Sequence, residues 1–180
     1  MKCARVFVVL AAALCAPLSL AQTKVPEAIP AVSREVTLSG AVERPIVLTV
    51  DDLRKFPAGQ IVTLVRPARA DHLGEKEQKL TGVRLRDVLD RARPQVAGRG
   101  ELKTMVIIAG ASDGYKAAFS WSEIFNTAAG YGVLVAFDKD GAPLQADEGP
   151  IALVALGDLQ NGPRHIKWLR ELTFRQLAPR

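Results

Sequence analysis

The chain has 180 residues, 48% hydrophobic, 24% charged and 6% aromatic, which is the balance of one ordinary globular domain and excludes a disordered, collagen-like or coiled-coil protein. The net charge of +5 is mild, and its Lys and Arg residues are interleaved with acids. With aromatics this sparse there is no basic stripe carrying stacking platforms, so nucleic acid is not expected as a partner.

Residues 1–21 read as a signal peptide: a basic start (Met1, Lys2, Arg5), an apolar run over 6–17, and Ser19-Leu20-Ala21, whose small residues suit cleavage after Ala21. The apolar run is too short to span a bilayer, so no stable membrane insertion is expected once it is removed, and the location predicted is periplasmic. Both cysteines, Cys3 and Cys15, lie in this leader, and bulky Leu14 argues against a lipid anchor at Cys15. The mature chain would then have no thiol, no disulfide and no thiolate metal ligand. Residues 22–33, with two prolines and no periodicity, read as a linker ahead of a single domain over 34–180.

Val36 and Leu38 alternate with polar neighbours, and 46–50 is a β-branched apolar run, which predicts two short strands joined by a turn. Residues 51–56 predict a short helix with acids in its first turn, stopped by Pro57. A strand over 60–65 is followed by a charged stretch over 66–79 that reads as a long loop. After Gly82, residues 83–93 have the spacing of an amphipathic helix closed by Pro94. Strands over 105–109 and 115–119 flank an Asp113-Gly114 turn, and Ser120 with Glu123 spells a capping box for the helix that follows. Residues 133–137 and 151–156 read as apolar strands, and 166–174 as a last strand, although LRELTFRQL is equally consistent with a helix. Strands separated by short helices without a regular βαβ repeat indicate an α+β fold with a mixed β-sheet.

Little in this chain spells familiar chemistry. With only two histidines, His72 and His165, a zinc site lacks closely spaced ligand pairs. Gly110-Ala111-Ser112-Asp113-Gly114 matches the letters of a nucleophile elbow but sits between two strands, where a hairpin turn is the simpler reading. Asp138-Lys139-Asp140-Gly141 opens like a calcium loop but lacks the remaining acids. The segment Asn161-Gly162-Pro163-Arg164-His165-Ile166-Lys167 is different in kind: an Arg fork, a Lys point charge and a titratable His together suit an anion. The alternative is a solvated basic loop. Arg66, Arg69, His72 and Lys76 lie in the loop upstream, and if both loops meet at one sheet edge they form a cationic pocket. Trp121 and Trp168 read as core or pocket-wall residues.

Taken in order, GVRLRDVLDRA, DGYKAAFSWSEI, LVAFDKDGAPLQADEGPIALVAL and NGPRHIKWLRELTF resemble the oxidoreductase molybdopterin-binding domain of the sulfite oxidase family, over nearly all of 36–175. The most specific piece is Gly162-Pro163-Arg164-His165-Ile166-Lys167-Trp168-Leu169, similar to a family segment whose Arg/Lys loop contacts the molybdopterin phosphate and pterin. The resemblance therefore implies a sulfite-oxidase-type fold and a cofactor-binding role for Arg164, His165 and Lys167; Arg66, Arg69 and His72, from the reading of the residues alone, are the candidates for a substrate or anion. It also implies a molybdenum-ligating cysteine at about residues 64–71, yet this loop reads LVRPARAD. No Arg, Ala or Pro replaces a soft thiolate. Where the family tends to have His-Gly-x-Pro-x-Arg, this chain has Asp147-Glu148-Gly149-Pro150-Ile151-Ala152, with an acid in place of the His, a shortened Gly-Pro spacing and Ala152 where Arg would sit, which loses two cofactor contacts and adds a carboxylate that repels phosphate. The expectation is an exported, noncatalytic binding or sensing module for a small anion or a periplasmic protein partner, with no metal and no cofactor held. The alternative is a molybdopterin-dependent periplasmic oxidoreductase acting on a small oxyanion or oxide.

Overall fold

In the first strand, β1 (Glu35–Gly40), the side chains of Val36 and Leu38 are fully buried while their neighbours face outward, the period-two pattern of a strand with one face on a core. The computed structural model describes residues 33–68, 74, 76–98, 100–160 and 162–177. β1 pairs antiparallel with β2 (Ile46–Thr49) and parallel with β11 (Leu169–Gln176). β5 (Met105–Ala111) and β6 (Lys116–Ser120) complete a five-stranded sheet ordered β2-β1-β11-β5-β6. The β1–β11 pair makes it mixed.

A second, antiparallel sheet runs β10 (His165–Ile166), β9 (Ala152–Ala155), β7 (Val133–Lys139), β4 (Gln78–Arg84), β3 (Ile61–Arg66), with β8 (Ala142–Pro143) folding back on β7. Both faces of its centre are buried. Val83, Val135, Phe137 and Leu153 join the main core, whereas Leu80, Leu134, Ala136 and Val154 form a second cluster with Leu144. This explains why 133–137 is continuously apolar rather than alternating. Three short helices, α1 (Val50–Arg54), α2 (Leu85–Ala92) and α3 (Trp121–Asn126), fill the ends.

The α+β class with a mixed β-sheet is the one expected, and a second, antiparallel sheet stands beside the mixed one. Three local expectations also change. The segment predicted as loop up to residue 79 already begins β4 at Gln78, and the helix starts at Leu85 rather than Val83. Gly82 hides that strand from a pattern reading, because β7 passes so close that a Cβ there would sit 2.1 Å from the Val135 carbonyl oxygen. The ambiguous last segment is extended but broken in two, with Trp168 at φ 48° between β10 and β11. The Ser120 cap is half a box: its hydroxyl accepts from Glu123 N at 3.0 Å, but the Glu123 carboxylate turns elsewhere. By contrast, Thr49 and Asp52 close a full box on α1.

The two turns behave as turns. Asp113 Oδ1 accepts from Tyr115 N at 2.9 Å, and Gly114 has φ 91°. Asp140 and Gly141, at φ 53° and 82°, form the β7–β8 turn, with Asp140 accepting from Lys79 N and Asp138 paired to Arg54. Among the described residues no helix is long and apolar enough to cross a membrane. The leader and most of the linker lie outside the described residues.

Candidate functional site

The segment 162–169 crosses from one sheet to the other: His165 and Ile166 pair with β9, and from Leu169 the chain belongs to the five-stranded sheet. At the crossing, Trp168 N donates to Glu148 O at 2.8 Å, Leu169 N to Ile151 O at 2.9 Å, and Ser112 N to Trp168 O at 3.0 Å. The Trp168 indole N–H donates to Ala146 O at 2.8 Å. Its ring lies on Gly149, which has φ 88° and no room for a side chain, since a Cβ would be 2.6 Å from Trp168 Cδ1. Trp168 thus clamps the 146–149 turn. Trp121 is a core residue stacked on Phe125, with ring centroids 4.0 Å apart.

This clamp drives Glu148 inward until only 2% of it is exposed. Its Oε1 lies 2.7 Å from His165 Nε2, though out of line for a good hydrogen bond, and its Oε2 accepts from Lys139 Nζ. Burial works against ionisation most strongly here. The hydrogen bonds and charges of His165 and Lys139 together outweigh it and hold the carboxyl at about 2, below the usual 4.5. On the other side of the imidazole, Arg66 Nη1 stands 3.4 Å from His165 Nδ1, and Arg66 Nη2 donates to Gln78 Oε1.

The upstream and downstream cations do meet, although β3 and β10 are opposite edges of their sheet; the sheet curls enough for Arg66 to reach His165. They meet at the His165 ring, with Arg66 at Nδ1 and Glu148 beside Nε2.

Arg164 does not present a free fork. Its Nε donates to Asp158 Oδ2 at 2.8 Å, Nη2 to Asp158 Oδ1, and Nη1 to Glu123 Oε1, while the guanidinium carbon sits 4.8 Å from the Phe119 ring centroid. The hydrogen bonds of Asp158, followed by those of Glu123, raise its pKa further, against the effect of burial. Arg164 is therefore not the solvated side chain of the alternative reading but one half of a bidentate internal ion pair. Lys167 is exposed. Arg69 and His72 lie outside the described residues.

Two cavities touch His165. The one towards Arg66, Asp158 and Arg164 holds about 10 Å³, room for one water at most. The one towards Asp113, Tyr115 and Lys167 holds about 330 Å³ and is open. A larger groove of about 530 Å³ lies away from them, beside Thr49, Leu144 and Pro150. No group of three or more His, Cys, Asp or Glu suited to a metal ion occurs among the described residues.

Sequence reasoning missed Glu123, Lys139 and Asp158 as members of this site. Glu123 was hidden by its capping-box spacing, and Asp158 belongs to no motif. Glu148 was noticed only as a substitution, not as the centre of the cluster.

The family described as oxidoreductase molybdopterin binding domain matches residues 22–179. Among solved structures, the crystal structure of the sulfane dehydrogenase SoxCD from Paracoccus pantotrophus is similar in fold, with a TM-score of 0.58 at 21% identity over 78% of this chain. The aligned part is 37% of that chain, so this protein spans little more than a third of its length. No curated protein matches.

Proposed function

Because this chain belongs to the oxidoreductase molybdopterin binding domain family and has its sulfite-oxidase-type fold, we propose that it is a noncatalytic member, an exported module that binds a protein partner in the periplasm. The observation that carries this reading is the pairing of the site's cations with the chain's own carboxylates: Glu148 with His165 and Lys139, and Asp158 and Glu123 with Arg164.

Molybdopterin brings a phosphate and a dithiolene-bound metal. The residues present do not fit it. The Arg164 donors that the resemblance assigns to the cofactor are already on Asp158 and Glu123, and the space between Arg164, His165 and Arg66 admits one water. Glu148 adds a buried negative charge where an anion would lie, and no cysteine follows Cys15. The same matching of charges weakens the small-anion reading and favours a protein partner.

One observation favours the second reading, a molybdopterin-dependent oxidoreductase: the 330 Å³ cavity keeps Lys167 and one face of His165 open beside the family's most specific segment. Molybdenum and extractable pterin in protein purified from a host that makes the cofactor separate the two. We expect neither above trace level in a cooperatively folding preparation. Near-stoichiometric molybdenum would overturn the noncatalytic reading.

A further inference from the structure

Tyr131 is 55% exposed, standing in the 3-10 turn Ala129–Gly132 with a guanidinium on either side. Arg86 Cζ is 4.8 Å from its ring centroid and Arg84 Cζ 6.0 Å; Arg86 also lies 5.4 Å from the Phe125 ring, so it is held between two aromatics. Stacking occupies the π face of a guanidinium and leaves its in-plane N–H groups to donate. Neither arginine makes an ion pair among the described residues.

Next to this turn runs the loop that carries Leu159, whose side chain is fully exposed. Leu156 N donates to Gly132 O at 2.9 Å, and Gly157 packs so tightly on the turn that a Cβ there would be 3.0 Å from Ala129 Cα. Leu159 is two residues further on, at most about 8 Å of chain away. Tyr131, Leu159 and the two arginines therefore fall within one footprint of about 800 Å², the size of a standard protein interface. Arg164 also stiffens this loop, because it ties Asp158, next to Leu159, to Glu123 on α3. A half-exposed Tyr beside two arginines has the side-chain types of an interaction hot spot, and Leu159 on its pinned loop adds apolar surface next to it.

We infer that this face docks an acidic protein segment, whose carboxylates take the in-plane donors of Arg86, with Arg84 adding its charge, while an apolar side chain packs between Tyr131 and Leu159. A second copy of the chain is the poorer occupant, since a twofold contact would bring four arginines together. The inference rests on the partner reading above and gives that partner its chemistry.

The test uses the purified full chain and two synthetic peptides of equal length, one Glu-rich with a central Phe and Leu, the other with every Glu replaced by Lys. The acidic peptide should bind, more weakly as salt rises, and should shift the NMR signals of Tyr131 and Leu159. Tyr131→Ala and Leu159→Glu should each weaken binding about tenfold. Both positions are exposed, so thermal unfolding should be unchanged. Equal binding of the Lys peptide, no binding of the acidic one, indifference to both substitutions, or a dimer that Leu159→Glu dissolves would each overturn the inference. Molybdenum in the same preparations keeps the two conclusions apart: a metal-loaded protein that still binds the peptide removes the noncatalytic reading alone, and a metal-free one that does not bind removes this surface alone.

Discussion

Glu148 Oε1 lies 2.7 Å from His165 Nε2 in a part of the molecule where Glu148 is almost wholly removed from water. A buried carboxylate is tolerable only when its charge is matched, and here His165 and Lys139 match it. Of the cations that the sequence suggested as a grip for an external anion, Arg164 and His165 already face the chain's own carboxylates. The backbone enforces the arrangement: Gly149 at φ 88° lets the turn fold under Trp168 and aims Glu148 at His165.

The first consequence is a dependence of stability on acid. Glu148 has a folded-state pKa of about 2 against an ordinary 4.5, so its ionised form stabilises the fold fully above pH 4.5. That contribution, on the order of 3 kcal/mol, is lost as pH falls from 4.5 towards 2. Urea unfolding midpoints across this window should drop steeply for the native chain and be flatter for Glu148→Gln. Parallel curves for the two would contradict this assignment.

Arg164 and Lys167 should differ sharply, although both belong to the same basic segment. Arg164→Ala leaves Asp158 and Glu123 facing each other without a cation and should cost about 2 kcal/mol. Lys167→Ala removes an exposed side chain and should stay within about 0.5 kcal/mol. A double-mutant cycle of Arg164→Ala with Glu123→Gln should show coupling, because Glu123 serves the ion pair rather than the α3 cap. Equal, negligible losses for both cations would return Arg164 to the role of a solvated residue.

Two glycines with nearly the same backbone angle separate conformational strain from steric strain. Gly141, at φ 82°, has nothing within 4 Å of a would-be Cβ, so Gly141→Ala should cost about 1 kcal/mol. Gly149→Ala adds a clash at 2.6 Å with Trp168 Cδ1 and should cost more than about 3 kcal/mol, with a changed Trp fluorescence. Thermal unfolding of the two variants checks the difference.

Much of the architecture was legible in the residues because the chain obeys local rules where it builds its core. The alternation of Val36 and Leu38, the Asp113-Gly114 turn and the spacing of Leu85, Val88, Leu89 and Ala92 each mark an element that the structure contains. β4 was missed because its central Gly82 answers to β7, a neighbour about fifty residues away, rather than to its own strand. The candidate site was half legible. Arg164, His165 and Lys167 stand together in sequence, whereas Glu123, Lys139, Glu148 and Asp158 arrive from separate elements and are recognisable only through the contacts the fold creates. A charge shows its sign in a sequence but not its partner.

The claim that Glu148 occupies the place of an external anion is tested most directly by chemical rescue. Glu148→Ala removes the carboxylate and opens space beside His165 and Lys139, which should destabilise the fold by about 3 kcal/mol. Formate or sulfate should then raise the thermal midpoint of Glu148→Ala in a saturable way while leaving that of the native protein unmoved. Equal stabilisation of both proteins, or none of the variant, would contradict the account.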